Sequence, residues 1–281
     1  MVPIGLDRIM VAQAEYTKQV VTFLDIMGFK EIVAGQDAQA ITRMLNLIQK
    51  KAAAAGEDTA EATKIISFSD SVIRARPVSE DAVTALLFEV GELATAQWDL
   101  MGSGILVRGG ITIGDVLVAP GRAFGPAFVR AYELEASWAR SPRVVFDPAA
   151  VGQIRDQAKL GNYAARRKLI LAVRKNLKLD QDGIWFIDYI ANAYRRLEAS
   201  EHRRQMMKHR KIIITSANEL QPDSAVIAKY LWLIRYFNAS AKSLHEGVTG
   251  LKISRADVPL SDELLIPTSS DADSRGGFPR R

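Results

Sequence analysis

The chain contains no cysteine, only three histidines among its 281 residues, and 7% aromatic residues. The lack of cysteine excludes a disulfide scaffold, thiolate catalysis, and zinc or iron–sulfur sites held by cysteine. No apolar run reaches the roughly 18 residues that a membrane-spanning helix needs, so we expect no membrane span. Residues 1–8 lack a basic segment followed by an apolar one, so we expect no secretion signal and a cytoplasmic protein.

What the chain does contain is ordinary globular composition, with 48% apolar and 25% charged residues and a net charge of +5. The charge is uneven, because residues 155–211 hold 15 Lys or Arg against six Asp or Glu. Such a charge excess is found in surfaces that bind polyanions and also on solvated helical faces. No stacking aromatics are interleaved in its basic runs, so we expect solvated helices and no stable nucleic-acid partner. Within it, His202 and His209 are seven apart, a spacing unusual for a metal pair, and we expect both at the surface.

The hydrophobic pattern predicts alternating strands and helices. We expect strands at 18–25, 63–69, 72–76, 105–114, 142–146 and 183–187, and helices at 38–54, from Ser79 to about Met101, and from Pro126 onward. The order predicts an α+β fold of ferredoxin-like type, an α/β sandwich with helices backing one sheet. We expect an N-terminal segment (1–17), a main domain (18–190), a mostly helical extension (191–258) and a disordered tail (259–281). The last apolar helix, around 226–237, is expected to pack on two sides, with a second protomer as a possible partner.

Two acidic residues are placed where strands end. Asp25 closes an apolar strand, and Asp70 lies at the tip of the predicted hairpin. If the first two strands lie side by side, both carboxylates reach one edge of the sheet, where they repel unless they share a proton or a cation. Oxygen-only ligands suit Mg²⁺ or Mn²⁺, completed by substrate phosphates and water. The alternative for each Asp alone is a turn residue or a helix cap.

A glycine follows the first of these residues. Gly28 lies in the segment between Asp25 and the next helix and permits close approach of a ligand to the backbone. Free N–H groups at the start of that helix could cradle a triphosphate.

Four segments, in consistent order over about residues 18–147, resemble the class III nucleotidyl cyclases. Segment 23–29 (FLDIMGF) is similar to the family's first strand, and 69–71 (SDS) looks like its metal-bearing hairpin. Segment 108–114 (RGGITIG) resembles the Arg-x-Gly-Ile-x-x-Gly strand, and 125–135 (GPAFVRAYELE) resembles the helix that follows it. The resemblance implies that 18–190 is a cyclase catalytic domain.

The resemblance also implies roles for individual residues. Two divalent metal ions, Mn²⁺ or Mg²⁺, would be held by Asp25, Asp70 and the Ile26 carbonyl. The family's transition-state Asn and Arg would fall on Val129 and Glu133, which cannot donate hydrogen bonds to the reacting phosphorus group. Arg130, one position after Val129, is the expected substitute. A nucleotide-binding set would surround the metals: Phe23, Met27, Gly28, Phe29, Ile66, Ser69 and Arg122.

Two departures from the family pattern indicate the base. The purine-reading Lys of adenylyl cyclases corresponds to Ile66, and the base-reading Asp corresponds to Arg122. Loss of both groups and gain of an Arg donor favours a carbonyl-rich base, uracil ahead of cytosine. The chain also looks like the pyrimidine cyclases of Pycsar antiphage defence. That resemblance implies a homodimer with sites at its interface, converting UTP, or alternatively CTP, into a cyclic nucleotide that activates a separate effector protein.

Two other functional classes stay open at this stage. One is a degenerate cyclase fold that only binds nucleotide or RNA, which the missing Asn/Arg pair favours and the retained Asp25 and Asp70 oppose. The other is a polymerase-like palm, which is disfavoured because segment 69–71 offers only one carboxylate within its hairpin.

Overall fold

The computed structural model describes residues 15–53, 63–78, 81–119, 122–160, 167, 171–172, 175–220, 226–245 and 247–259. The expected tail beyond Pro259 and most of the expected N-terminal segment lie outside these residues. Within the described residues, no helix combines the length and apolarity that a bilayer span requires.

One mixed sheet of eight strands forms the centre of the fold, in the order β2-β3-β1-β4-β6-β8-β7, with β5 paired to β4. The strands are β1 (Thr17–Ile26), β2 (Lys64–Phe68), β3 (Ser71–Pro77), β4 (Val107–Ala119), β5 (Arg122–Phe124), β6 (Val144–Phe146), β7 (Leu177–Leu179) and β8 (Trp185–Ile187). The pairs are antiparallel except β4 with β6. The first four strands follow the β2-β3-β1-β4 order of a ferredoxin-like βαββαβ unit.

The helices cover both faces of this sheet and extend beyond it. They are α1 (Phe29–Gly35), α2 (Ala38–Ala53), α3 (Ala82–Met101), α4 (Pro126–Glu133), α5 (Pro148–Leu160), α6 (Tyr189–Arg196), α7 (Ala199–Asn218) and α8 (Ile227–Leu244). A single π turn, Leu134–Trp138, continues α4. The α+β fold with a mostly helical C-terminal part is therefore confirmed.

Strand alternation divides the core into two layers. Val20, Leu24 and Ile26 of β1 belong to the large cluster that includes α2, α3 and the C-terminal helices. Val21 and Phe23 face the other way and form a small cluster with residues of α4. Since side chains alternate along a strand, Asp25 lies on the same face as Phe23, which is the α4 face.

The C-terminal helices pack within the chain rather than standing free. In α8, Leu233, Ile234 and Phe237 are buried in the large cluster, and the Trp232 ring contacts Phe186 of β8 edge-on, with ring centroids 5.4 Å apart. The two-sided apolarity of this segment thus corresponds to packing within the chain.

The expectation that the two histidines lie at the surface is wrong. His202 and His209 are buried rather than at the surface, because both pack against the Trp98 ring, with ring centroids 5.0 and 4.1 Å away. Arg74 and Arg76 of β3 are also buried, under α3. Their guanidinium groups are neutralised there by Glu89 and Glu92 of that helix.

Candidate active site

The end of β1 brings the two predicted carboxylates together. Asp25 is registered opposite Ser71 of β3 and opposite Arg108 of β4. Asp70 immediately precedes Ser71, in the two-residue turn that joins β2 to β3. We expected the first two strands to be neighbours, but β3 lies between them. The carboxylates meet because the return strand of the hairpin, not its first strand, pairs with β1.

The electrostatics of Asp25 reflect this crowding. Burial raises the pKa of the Asp25 carboxyl, the Arg108 charge opposes that rise, and the Asp70 charge and a hydrogen bond between the two carboxyl groups raise it further. Nε of Arg108 donates a hydrogen bond to Oδ2 of Asp25 over 3.1 Å. The site is therefore a pair of adjacent carboxyl groups with one guanidinium group beside them.

A third carboxyl group, Glu135, lies at the same place. Its side chain is in the π turn after α4, the residue is only 3% exposed, and its Oε1 is 2.7 Å from Nε of Arg108. Burial raises the pKa of Glu135 to about 7, with Arg108 opposing and the charges of Asp25 and Asp70 adding to the rise. Lys229 of α8 acts on the same carboxyl as a distant positive charge.

Backbone constraints hold these groups in place. Gly110 lies against α4 so closely that an added Cβ would be 2.3 Å from Cβ of Leu134 and 2.7 Å from the Ala131 carbonyl oxygen. Only a residue without a side chain lets α4 and its π turn rest on β4 at this point. In the hairpin turn, Ser69 adopts a left-handed backbone with φ of 53°, a conformation that usually selects glycine.

The other residues predicted to bind metal or phosphate, at the end of β1 and the start of α1, differ in whether their backbone groups are free to contact a ligand. The Ile26 side chain is buried in the large cluster, so only its backbone carbonyl could reach a cation. Met27 is also buried, and its N–H donates to the Leu106 carbonyl over 2.9 Å, so this N–H does not fit the predicted phosphate cradle. Gly28 (φ 79°) is the N-cap of α1, which begins at Phe29. N–H groups in a first helical turn have no acceptor within the helix and are available to a ligand.

An apolar surface borders the carboxylates on the α4 face. Phe23 contacts the rings of Phe128 and Tyr132 edge-on, at 6.0 and 5.5 Å, and Ile66 packs against the same small cluster. Tyr132 is 51% exposed, and Phe68, at the end of β2, is 80% exposed. We call these five residues the α4-face patch.

The two predicted arginines lie apart from the carboxylates. Arg130 forms a two-pronged pair with Asp147, with distances of 3.0 and 3.1 Å. Burial raises the pKa of Asp147, but hydrogen bonds from Arg130 and Thr112 outweigh burial and lower this pKa below its ordinary value. Arg122 is exposed on β5. In the part of the chain that the structure describes, neither guanidinium group is paired with Asp25 or Asp70.

The donor set fits a hard divalent cation only in part. Adjacent carboxylates repel each other unless a proton or a positive charge lies between them, and carboxylate oxygens are ligands that a hard divalent cation prefers. Among the described residues, no group of three or more His, Asp or Glu side chains is placed to hold a metal ion. A cation at Asp25 and Asp70 would therefore need the Ile26 carbonyl, water or substrate phosphate as further ligands.

Two site residues were quoted in the sequence motifs without being given a role. Arg108 opens the RGGITIG segment, and its position follows from the antiparallel register of β1 and β4. Glu135 ends the helix motif, and its approach depends on the π turn and on Gly110. The register could have been predicted from the two strands, whereas nothing in the sequence signals the π turn.

Comparisons with known proteins return structural neighbours alone. No family profile and no curated protein matches the chain. The adenylyl cyclase CyaB from P. aeruginosa is 19% identical, with 52% of this chain and 84% of that chain aligned and a TM-score of 0.41. The monomeric guanylyl cyclase domain of the RhoGC fusion protein from Blastocladiella emersonii is 12% identical over 62% and 96%, with a TM-score of 0.42. The guanylate cyclase domain of RhGC from Catenaria anguillulae, in complex with GTP, is 14% identical over 50% and 83%, with a TM-score of 0.39.

Proposed function

We propose that the protein is a nucleotide cyclase that converts UTP, or alternatively CTP, into the 3′,5′-cyclic monophosphate and pyrophosphate. The observation that carries the proposal is the adjacency of Asp25 and Asp70 at one sheet edge. Two carboxylates brought together from distant parts of the chain, next to a helix start at Gly28, are what a metal–triphosphate complex requires.

In this proposal Asp25, Asp70 and the Ile26 carbonyl would hold two divalent ions, Mn²⁺ or Mg²⁺. When bound, such ions supply Lewis acidity toward the attacking ribose 3′-oxygen and the α-phosphate and neutralise the triphosphate. The chain itself orients the nucleotide. The αL backbone of Gly28 and the first turn of α1 would bind the phosphate tail, and Ser69 would fix the turn that presents Asp70.

A homodimer is part of the proposal. The α4-face patch leaves Phe68 and Tyr132 largely exposed beside the carboxylates, and large exposed aromatics next to a site favour an interface. A second copy covering this face would bring its own Arg122 and Arg130 toward the nucleotide. Arg130 would have to share its guanidinium between Asp147 and phosphate, for which its remaining N–H groups suffice.

Base choice is assigned to Ile66 and Arg122. Ile66 carries no hydrogen-bonding group in its side chain and packs against the small cluster, so in this proposal it offers an apolar contact to a base. The exposed guanidinium of Arg122 supplies donors that match the carbonyl oxygens of uracil and, less fully, those of cytosine. The cyclic product would act on a separate effector protein, as the resemblance to the antiphage cyclases implies.

The test is an incubation of the full chain with Mn²⁺ and each of the four nucleoside triphosphates. We expect pyrophosphate release and a cyclic product with UTP above the other three. Asp25→Asn and Asp70→Asn each remove a cation ligand worth several kcal/mol of charge stabilisation, so turnover should fall at least about 100-fold. A matched control is Asp257→Asn, which removes a carboxylate paired with Arg210 and should leave turnover unchanged.

A second candidate function is nucleotide binding without catalysis. Two exposed residues favour it, Val129, which is 52% exposed, and Glu133. The class III cyclases that the sequence resembles have their transition-state Asn and Arg at these two positions. Nucleotide binding with no pyrophosphate release from any of the four triphosphates would support this candidate and refute the cyclase.

A further inference from the structure

Arg108 has one Nε–H and two carboxylates within reach of it. This N–H donates to Oδ2 of Asp25 over 3.1 Å, and Oε1 of Glu135 lies 2.7 Å from the same nitrogen. Oε1 of Glu135 is buried, and it receives no hydrogen bond from any residue that the structure describes. A buried acceptor without a donor is costly, so the site holds a second acceptor ready for the Arg108 N–H.

The charges at this point are unbalanced in a way that favours a cation. Asp25 and Glu135 contact the guanidinium group of Arg108. Asp70 adds a third carboxyl group whose charge acts on both, and Lys229 acts on Glu135 as a further positive charge. A divalent ion that reaches Asp25 competes with Arg108 for the same carboxylate oxygen. Without another partner, the displaced guanidinium would be left half-buried and unpaired, which is unfavourable.

We infer that Glu135 is a positioning residue that takes the Arg108 hydrogen bond from Asp25 when Asp25 binds a divalent cation. A small rotation of the guanidinium group moves the Nε–H from one acceptor to the other. Arg108 thus occupies the place of the cation at Asp25 until a cation binds, and Glu135 accepts the Arg108 hydrogen bond afterwards. We call this the placeholder inference. This inference rests on the proposed cation site at Asp25 and Asp70.

Glu135 reaches this position because of its backbone. Glu135 lies within the π turn Leu134–Trp138 that continues α4, and such turns are frequent at functional sites. Gly110 allows the Glu135 backbone nitrogen to lie 3.0 Å from where a Cβ would be. Substitution of a residue that orients a metal ligand through a hydrogen bond typically changes metal affinity 10- to 100-fold.

The experiment measures Mn²⁺ affinity of the full chain without nucleotide, by the electron paramagnetic resonance signal of free Mn²⁺. We expect Glu135→Gln, which is isosteric, to weaken Mn²⁺ binding about 10- to 100-fold, because Arg108 then keeps Asp25 as its only anionic partner. The matched control Glu201→Gln removes a charge on α7 where the side chain accepts from Gln205, and should bind Mn²⁺ like the wild type. Thermal unfolding of each variant verifies its fold.

A double-mutant cycle separates positioning from simple charge. In an Arg108→Gln background there is no guanidinium to hold, so the effect of Glu135→Gln should shrink at least about threefold. An undiminished effect would mean that Glu135 acts by charge alone and would overturn the inference, as would wild-type affinity in Glu135→Gln itself. Asp25→Asn distinguishes the two proposals. If it binds Mn²⁺ like the wild type, the cation site fails, whereas loss in Asp25→Asn with retention in Glu135→Gln refutes the placeholder inference alone.

Discussion

Gly110 offers the sharpest test of how α4 is held against the sheet. An alanine Cβ at this position would lie 2.3 Å from Cβ of Leu134 and 2.7 Å from the Ala131 carbonyl oxygen. Neither neighbour is the free end of a flexible side chain, so the helix must move away from β4. Overpacking of a core typically costs 1–3 kcal/mol, and because backbone is displaced here we expect about 3 kcal/mol from Gly110→Ala.

The assay is thermal unfolding of Gly110→Ala, with an alanine substitution at a second glycine as the matched control. For a chain of this size, about 3 kcal/mol corresponds to a fall in Tm of roughly 6–12 °C. Gly91 lies within α3, and a Cβ there meets no atom within 4 Å. Gly91→Ala should therefore raise the free energy of unfolding by about 0.5–1 kcal/mol through helix propensity.

The site gives a second readout of the same change. A shift of α4 carries Glu135 away from Arg108, so Gly110→Ala should also weaken Mn²⁺ binding. A Tm of Gly110→Ala within about 2 °C of the wild type, or above it, would refute the close approach of α4 to β4 and with it the placement of Glu135.

Two further predictions concern acid stability and the hairpin turn. Burial lowers the pKa of His202 to about 4 and of His209 to about 3. As the pH falls below 6.5, these two side chains bind protons in the unfolded chain but not in the folded chain, and together they lower stability by up to about 2.7 kcal/mol per pH unit. Glu135, with its pKa raised to about 7, takes up a proton in the folded state first and offsets about half of that slope. In urea unfolding between pH 6.5 and 5, the loss of stability per pH unit should therefore be about 1.4 kcal/mol larger in Glu135→Gln than in the wild type; equal slopes in the two proteins would contradict the placement of Glu135. Ser69→Gly should stabilise the chain by about 1 kcal/mol in the same urea assay, since Ser69 is held at φ 53° at a cost that glycine avoids; a loss of stability would show that the turn is not strained.

The sequence was sufficient to predict most of the sheet domain. The hydrophobic pattern located β1, the hairpin of β2 and β3, and Pro126 as the start of α4, and the structure confirms each. These elements have strong local signals, because alternation, turn residues and a proline at a helix start act over a few residues.

What could not be predicted depends on contacts between distant segments. The burial of Arg74 could not be predicted, because its strand position gives no sign of Glu89, fifteen residues later, which neutralises it in the core. The burial of His202 similarly depends on the Trp98 ring, from a different helix. Asp25 and Asp70 were correctly brought together, but through β3 rather than β2, since pairing order is decided by the whole sheet.

The central claim is that Asp25 and Asp70 together hold divalent cations under a nucleoside triphosphate. The most direct measurement is anomalous diffraction from a crystal grown with Mn²⁺ and a UTP analogue that cannot be cyclised. The account predicts a manganese peak between the two carboxylates, with Arg108 turned from Asp25 to Glu135. Manganese bound elsewhere, with Arg108 still on Asp25 and the nucleotide distant from both aspartates, would contradict it.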